Sequence, residues 1–156
     1  MEKPEGHEKT LVLVKALPEE SSQYGETVCC AGLTPEGEWR RQFPIRYRNL
    51  SSKFKRWQWI EYNWRAPKND PRPESRRVQE GSIVIVGEVP PSKRTDFLSP
   101  YIRISADEAK SRGETLTLIR PENPKFAWKK KRPNALKVSE LLTRELPAKV
   151  LFLTLI

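Results

Sequence analysis

The stretch that most restricts how this chain can fold is residues 26–45, ETVCCAGL-TPEG-EWRRQFPI. Thr34 to Gly37 place a proline early and a glycine last, which is a strong turn signal. The runs on either side are rich in β-formers, so the segment closes a β-hairpin. On its first strand Val28, Cys30 and Gly32 share a face. On its second, Arg40 and Gln42 point outward if Trp39, Arg41 and Phe43 alternate with them.

More strands are legible along the chain. Leu11 to Leu17 is a short apolar run ended by Pro18. WQWIEYNW, residues 57–64, has Trp57 and Trp59 on one face and Ile60, Tyr62 and Trp64 on the other. Gly81 to Val89, YIRI at 101–104, TLTLIRP at 115–121 and the final KVLFLTLI complete the set. RAPKNDPRPESRR, residues 65–77, carries three prolines and reads as a long loop leaving the sheet. PPSKRTDFLSP, residues 90–100, reads as another loop.

Helical signals are brief. Residues 46–56 suggest one turn capped near Asn49 or Ser51. Ser105 and Glu108 form a capping box closed by Gly113. Asn134 caps a run in which Val138, Leu142 and Leu146 recur every four residues. The fold class that follows is mainly β: a small β-barrel, OB-like or similar, with two or three short helices. At 156 residues the chain suits a flexible tail over 1–8 and a single β-rich domain over 9–156. Its apolar end, Val150 to Ile156, closes a sheet or marks a cut from a longer chain or second domain.

Several function classes find no support. Cys29 and Cys30 are neighbours, which strains a bridge between them and suits reduced strand residues. The single histidine, His7, falls in the tail, so neither a Cys/His zinc site nor a histidine-activated thiol is expected. The seven glycines are scattered, without a phosphate-cradling loop. No signal peptide or membrane-length apolar run appears, so a cytoplasmic protein away from membranes, needing no cofactor, is expected.

Charge is the more informative property. The net charge is +9, and it is segregated along the chain. Residues 1–39 hold three basic and eight acidic side chains; residues 40–77 hold twelve basic and three acidic. Three of the five tryptophans lie within that second segment, between Phe54 and Arg77. Cationic grooves with aromatic platforms bind single-stranded nucleic acid, because charge meets phosphate and a flat ring meets a base.

The candidate phosphate contacts are Arg40, Arg41, Arg46, Arg48, Lys53, Lys55 and Arg56, with Arg72, Arg76 and Arg77 on the following loop. Trp57 or Trp59 would stack on a base, with Trp39 beside them. Lys129, Lys130, Lys131 and Arg132 would extend the track. Against this, any one tryptophan is more often core than platform. Asp70 and Glu74 can pair with the loop arginines and merely shape it.

The run YGETVCCAGLTPEGEWRRQFPI resembles a pattern of uncharacterised prokaryotic proteins, G-x-x-V-C-x-A-G, a turn, then G-x-W-x-R and a proline. Gly25, Val28, Cys29, Ala31, Gly32, Gly37, Trp39, Arg41 and Pro44 match it. A related strand-turn-strand is found in domains described as dual OB-fold. The resemblance covers the first half of the chain. It implies an oligonucleotide-binding barrel and adds Trp39 and Arg41 to the candidate contacts.

The expectation is a non-catalytic nucleic-acid-binding module, with single-stranded DNA or RNA slightly preferred over duplex because no recognition helix is evident. Two other classes stay open. One is a metal-dependent nuclease or other nucleic-acid enzyme using Asp70, Glu74 or the Glu108–Lys110 pair. The other is a protein-interaction subunit whose basic face meets an acidic partner.

Overall fold

The computed structural model describes residues 5–16, 19–21, 25–46 and 54–123. Its chain divides into two compact units, Met1–Phe97 and Leu98–Ile156.

The first unit is built from β1 (Glu5–Lys15), β2 (Glu19–Ser21), β3 (Gly25–Leu33), β4 (Trp39–Arg46), β5 (Gln58–Arg65), β6 (Ser75–Val78) and β7 (Val84–Glu88). Five of these close on themselves in the order β1–β3–β4–β6–β5, with β5 returning to β1. The contact between β4 and β6 is parallel; the others in the ring are antiparallel. Counting only ring strands, the third and fifth run parallel and the fourth lies between the fifth and the first. This is a closed, OB-like small barrel. β2 adds to β3 outside the ring, and β7 adds to β5 as an edge strand.

The hairpin forms as its turn dictates. Gly37 adopts φ 85°, and its N–H donates to the Thr34 carbonyl at 3.0 Å. Gly32 is required for a different reason: a Cβ there would lie 1.9 Å from the Leu11 carbonyl oxygen across the β1–β3 pair. The barrel interior holds Val12, Val28, Cys30, Ile45, Phe54, Ile60, Tyr62 and Val78. Each fully buried aliphatic side chain contributes about 1.5–3 kcal/mol of transfer free energy.

Four readings of the sequence are corrected. The segment 5–8 is strand, not tail: Glu5 to Glu8 pair with Arg65 to Tyr62, and His7 Nδ1 lies 2.9 Å from the Asn63 amide oxygen. The hairpin alternates the other way round. Gln42 is fully buried and Arg40 reaches Glu8 beside it, whereas Phe43 is 41% exposed. The proline-rich segment rejoins the sheet at its end, since Ser75–Val78 form β6 and complete the ring. A short helix, α1 (Arg94–Leu98), occurs within the stretch read as loop.

In the second unit β8 (Ile102–Arg103) pairs in parallel with β9 (Leu118–Ile119). Between them lies α2 (Ala106–Ser111), with Ser105 Oγ accepting the Glu108 N–H at 3.1 Å as the capping box requires. Gly113 follows at φ 73°. The expected turn over 46–56, the helix after Asn134 and the strand at 149–156 fall wholly or mainly outside the described residues. Among the described residues no helix is long and apolar enough to cross a membrane.

Candidate nucleic-acid interface

The positive segment does not stay positive in space. β1, from the acidic part of the chain, pairs directly with β5 and brings its carboxylates to the arginines. At one end of the barrel Glu8 holds two of them. Arg40 Nε donates to Glu8 Oε1 at 2.7 Å, and Arg76 Nε donates to Oε2 at 3.2 Å. The side chains of Arg40, Glu8 and Arg76 are only 13%, 15% and 11% exposed. Arg40 also pairs with Glu38.

Tyr62 completes the plug. Its hydroxyl donates to Glu8 Oε2 at 3.3 Å and lies 3.0 Å from Thr10 Oγ1. Burial pushes this phenol up to about 12. The Arg76 guanidinium lies 4.0 Å from the centre of the Trp64 ring, which packs against the core. Trp64 is therefore partly buried against the core, and Arg40 and Arg76 are both held by Glu8.

The loop arginines are also engaged. Arg41 Nε donates to Glu74 Oε1 at 3.1 Å, and burial, with Arg72 adjacent, lowers the Arg41 pKa. Arg72 clamps Asp70 through Nε and Nη2 at 2.8 and 2.6 Å. Those hydrogen bonds, led by Arg72 and joined by Ser75, hold the Asp70 carboxyl down at about 2. Asp70 and Glu74 thus each hold an arginine. Among the described residues no group of three or more His, Cys, Asp or Glu could hold a metal. Glu108 serves the α2 cap and pairs with Arg112. Arg46 faces solvent and pairs with Glu80 at 3.3 Å.

What remains outward lies chiefly on β5 and its neighbours. Trp59 projects from the outer face of β5, half-buried. The Phe97 ring meets it edge-on, with centroids 5.9 Å apart, and Lys9 Nζ lies 5.6 Å from its ring centre. Trp57 precedes the strand in a left-handed conformation, φ 72°, which a bulky side chain rarely adopts. Its backbone is pinned on both sides: its N–H donates to the Val12 carbonyl at 2.7 Å, and its carbonyl accepts from Val89 at 2.8 Å. The Arg94 guanidinium lies 4.7 Å from the Trp57 ring centre. Lys55 and Arg56 are exposed immediately before it.

Trp39 is half-buried at the start of β4, and Arg77 is exposed on β6. The structure therefore brings Lys55, Arg56, Trp57 and Trp59 together on the outside, joined by Lys9 and Arg94, which the sequence reasoning missed. Lys9 could have been found from the β1–β5 pairing, but no spacing in the sequence reveals that pairing. Arg48, Lys53, Trp128 and Lys129 to Arg132 lie outside the described residues.

Residues 6–103 match the model of a family described as a domain of unknown function, DUF8758. The chain belongs to that family. The DUF8758 match spans nearly all of β1 and continues through the whole barrel to β8. No curated protein and no solved structure matches the chain.

Proposed function

We propose that this DUF8758 barrel is a non-catalytic nucleic-acid-binding module that takes single strands in preference to duplex. The observation that carries the reading is the outer surface around Trp57 and Trp59. Two half-exposed indoles each have a cation within stacking range, with Lys55 and Arg56 exposed beside them. An indole offers a base its flat face, and the nearby cations meet the phosphates on either side. The left-handed backbone at Trp57 adds weight, because such strain persists where the surroundings over-determine it and tends to gather at functional sites.

A photoreactive single strand tests this directly. Oligonucleotides carrying 5-iodouracil should crosslink to Trp57 or Trp59, as mapped by mass spectrometry of the digest. Crosslinks confined to other regions at saturating oligonucleotide would remove the stacking surface.

A protein partner is the second reading, and β7 favours it. Val84, Ile85 and Val86 are 58%, 45% and 40% exposed on this edge strand, which among the described residues pairs only with β5. Such an edge can accept an added strand. A stoichiometric complex surviving nuclease digestion, and lost on Ile85→Lys, would move the account to that reading.

A further inference from the structure

Arginines held in buried pairs cannot turn to a new anion without leaving a carboxylate stranded, whereas exposed pairs can exchange partners at little cost. That criterion separates the cations of this barrel. Arg40 and Arg76 are committed to Glu8. Arg65 is not: its pair with Glu5, at 3.0 Å, has both side chains 64% exposed. Arg65 stands opposite Arg77 in the β5–β6 register, and Arg77 stands opposite Phe43 in the β4–β6 register. A single transverse row thus carries Phe43, Arg77, Arg65 and Glu5 across four adjacent strands, ending in the Glu5–Arg65 pairing.

Beside this row opens a groove of about 690 Å³ lined by Glu5, Arg65, Ala66, Lys68, Arg77 and Gln79, with Val78 at its floor. Its volume lies within the range that takes small ligands. Three of its side chains are cationic, one is an amide, and its single acid is the displaceable partner of Arg65. Phe43, one strand away, offers the aromatic face.

We propose that this groove is a nucleotide-unit site, in which Arg65, Lys68 and Arg77 hold a phosphodiester and Phe43 stacks on the attached base. It rests on the nucleic-acid reading and locates a second contact region, toward the end of β5 away from Trp59. Arg65 lies six positions along the strand from Trp59, about 20 Å, so one strand of nucleic acid can span both.

The test uses the full chain and an oligothymidylate of about 16 nucleotides, the upper site size for one such barrel. Affinity is measured across a salt series for wild type, Arg65→Ala/Lys68→Ala and Phe43→Ala, each checked for native melting. The double variant should bind at least roughly tenfold more weakly. Its log–log salt slope should be shallower by about 0.7 for each phosphate no longer neutralised. Phe43→Ala should weaken binding by at least about fivefold with the slope unchanged.

A double variant matching wild type in affinity and slope overturns the groove and leaves the Trp57–Trp59 surface standing. Loss in the double variant without loss in Phe43→Ala overturns the base contact. A wild-type protein that ignores the oligonucleotide at low salt removes both the groove and the reading beneath it.

Discussion

Replacing Glu8 by glutamine keeps the shape of the barrel plug and removes the charge that holds it. Arg40 and Arg76 then face one another across an amide, with side chains only 13% and 11% exposed. Breaking a buried ion pair by neutralising one partner costs about 3–5 kcal/mol. The plug sits at a barrel end rather than at its centre, so the lower figure, about 3 kcal/mol, is the better expectation. The Tyr62 hydroxyl also exchanges a carboxylate acceptor for a weaker one.

For a unit of this size 1 kcal/mol shifts Tm by about 4–8 °C, so Glu8→Gln should lower Tm by roughly 12–24 °C in a circular-dichroism melt. Oligonucleotide affinity, measured well below the melt, should stay within about twofold of wild type, the level of a conservative change away from the contacts. The opposite pattern refutes the reasoning. If Tm barely moves and single strands bind more tightly, Glu8 masks a pair of phosphate-binding arginines rather than closing a barrel.

Three further outcomes follow from the same structure. Gly32→Ala should cost about 3 kcal/mol or more, at the upper end of overpacking costs, because the added carbon meets the Leu11 backbone at 1.9 Å and only strand separation relieves it; a denaturant midpoint within error of wild type would contradict this. In the folded protein iodoacetamide should label the exposed Cys29 and spare Cys30, which is buried with its thiol pushed up to about 12, and mass spectrometry should find the second adduct only after unfolding. Asp70, held at about 2 against an ordinary 3.8, contributes stability that is full above the ordinary value and is lost as pH falls through about 2. Asp70→Asn should therefore lower Tm at pH 7, and its deficit relative to wild type should shrink between about pH 4 and 2; a constant deficit would show that the Arg72 clamp does not track the charge.

Much of the fold is visible locally. The Thr34–Gly37 turn, the alternation through Ile60 and Tyr62, and the Ser105–Glu108 cap each follow from near neighbours in the chain. What stays hidden depends on pairing at long range. β6 is four residues at the end of a proline-rich loop, and it is a strand because β4 and β5 accept it. The parity of β4 is hidden for a related reason. One end of the barrel is polar inside, so Arg40 and Gln42 face inward and hydrophobic alternation points the wrong way.

Charge misleads similarly. Twelve basic residues against three acids in 40–77 suggests a bare cationic face, yet Glu5, Glu8, Glu38 and Glu80 come from outside that segment to meet Arg65, Arg40, Arg76 and Arg46. Linear segregation of charge does not predict segregation in space when the acidic strand is the neighbour of the basic one.

On the proposed reading the outward tryptophans and exposed cations engage single-stranded nucleic acid. Tryptophan fluorescence during titration with single-stranded DNA, single-stranded RNA and duplex, at low and moderate salt, tests it most directly. Quenching by single strands, with affinity falling steeply as salt rises, is the result expected of stacking combined with phosphate neutralisation. Absence of binding to all three at low salt contradicts the claim and leaves the β7 edge as the surface to pursue.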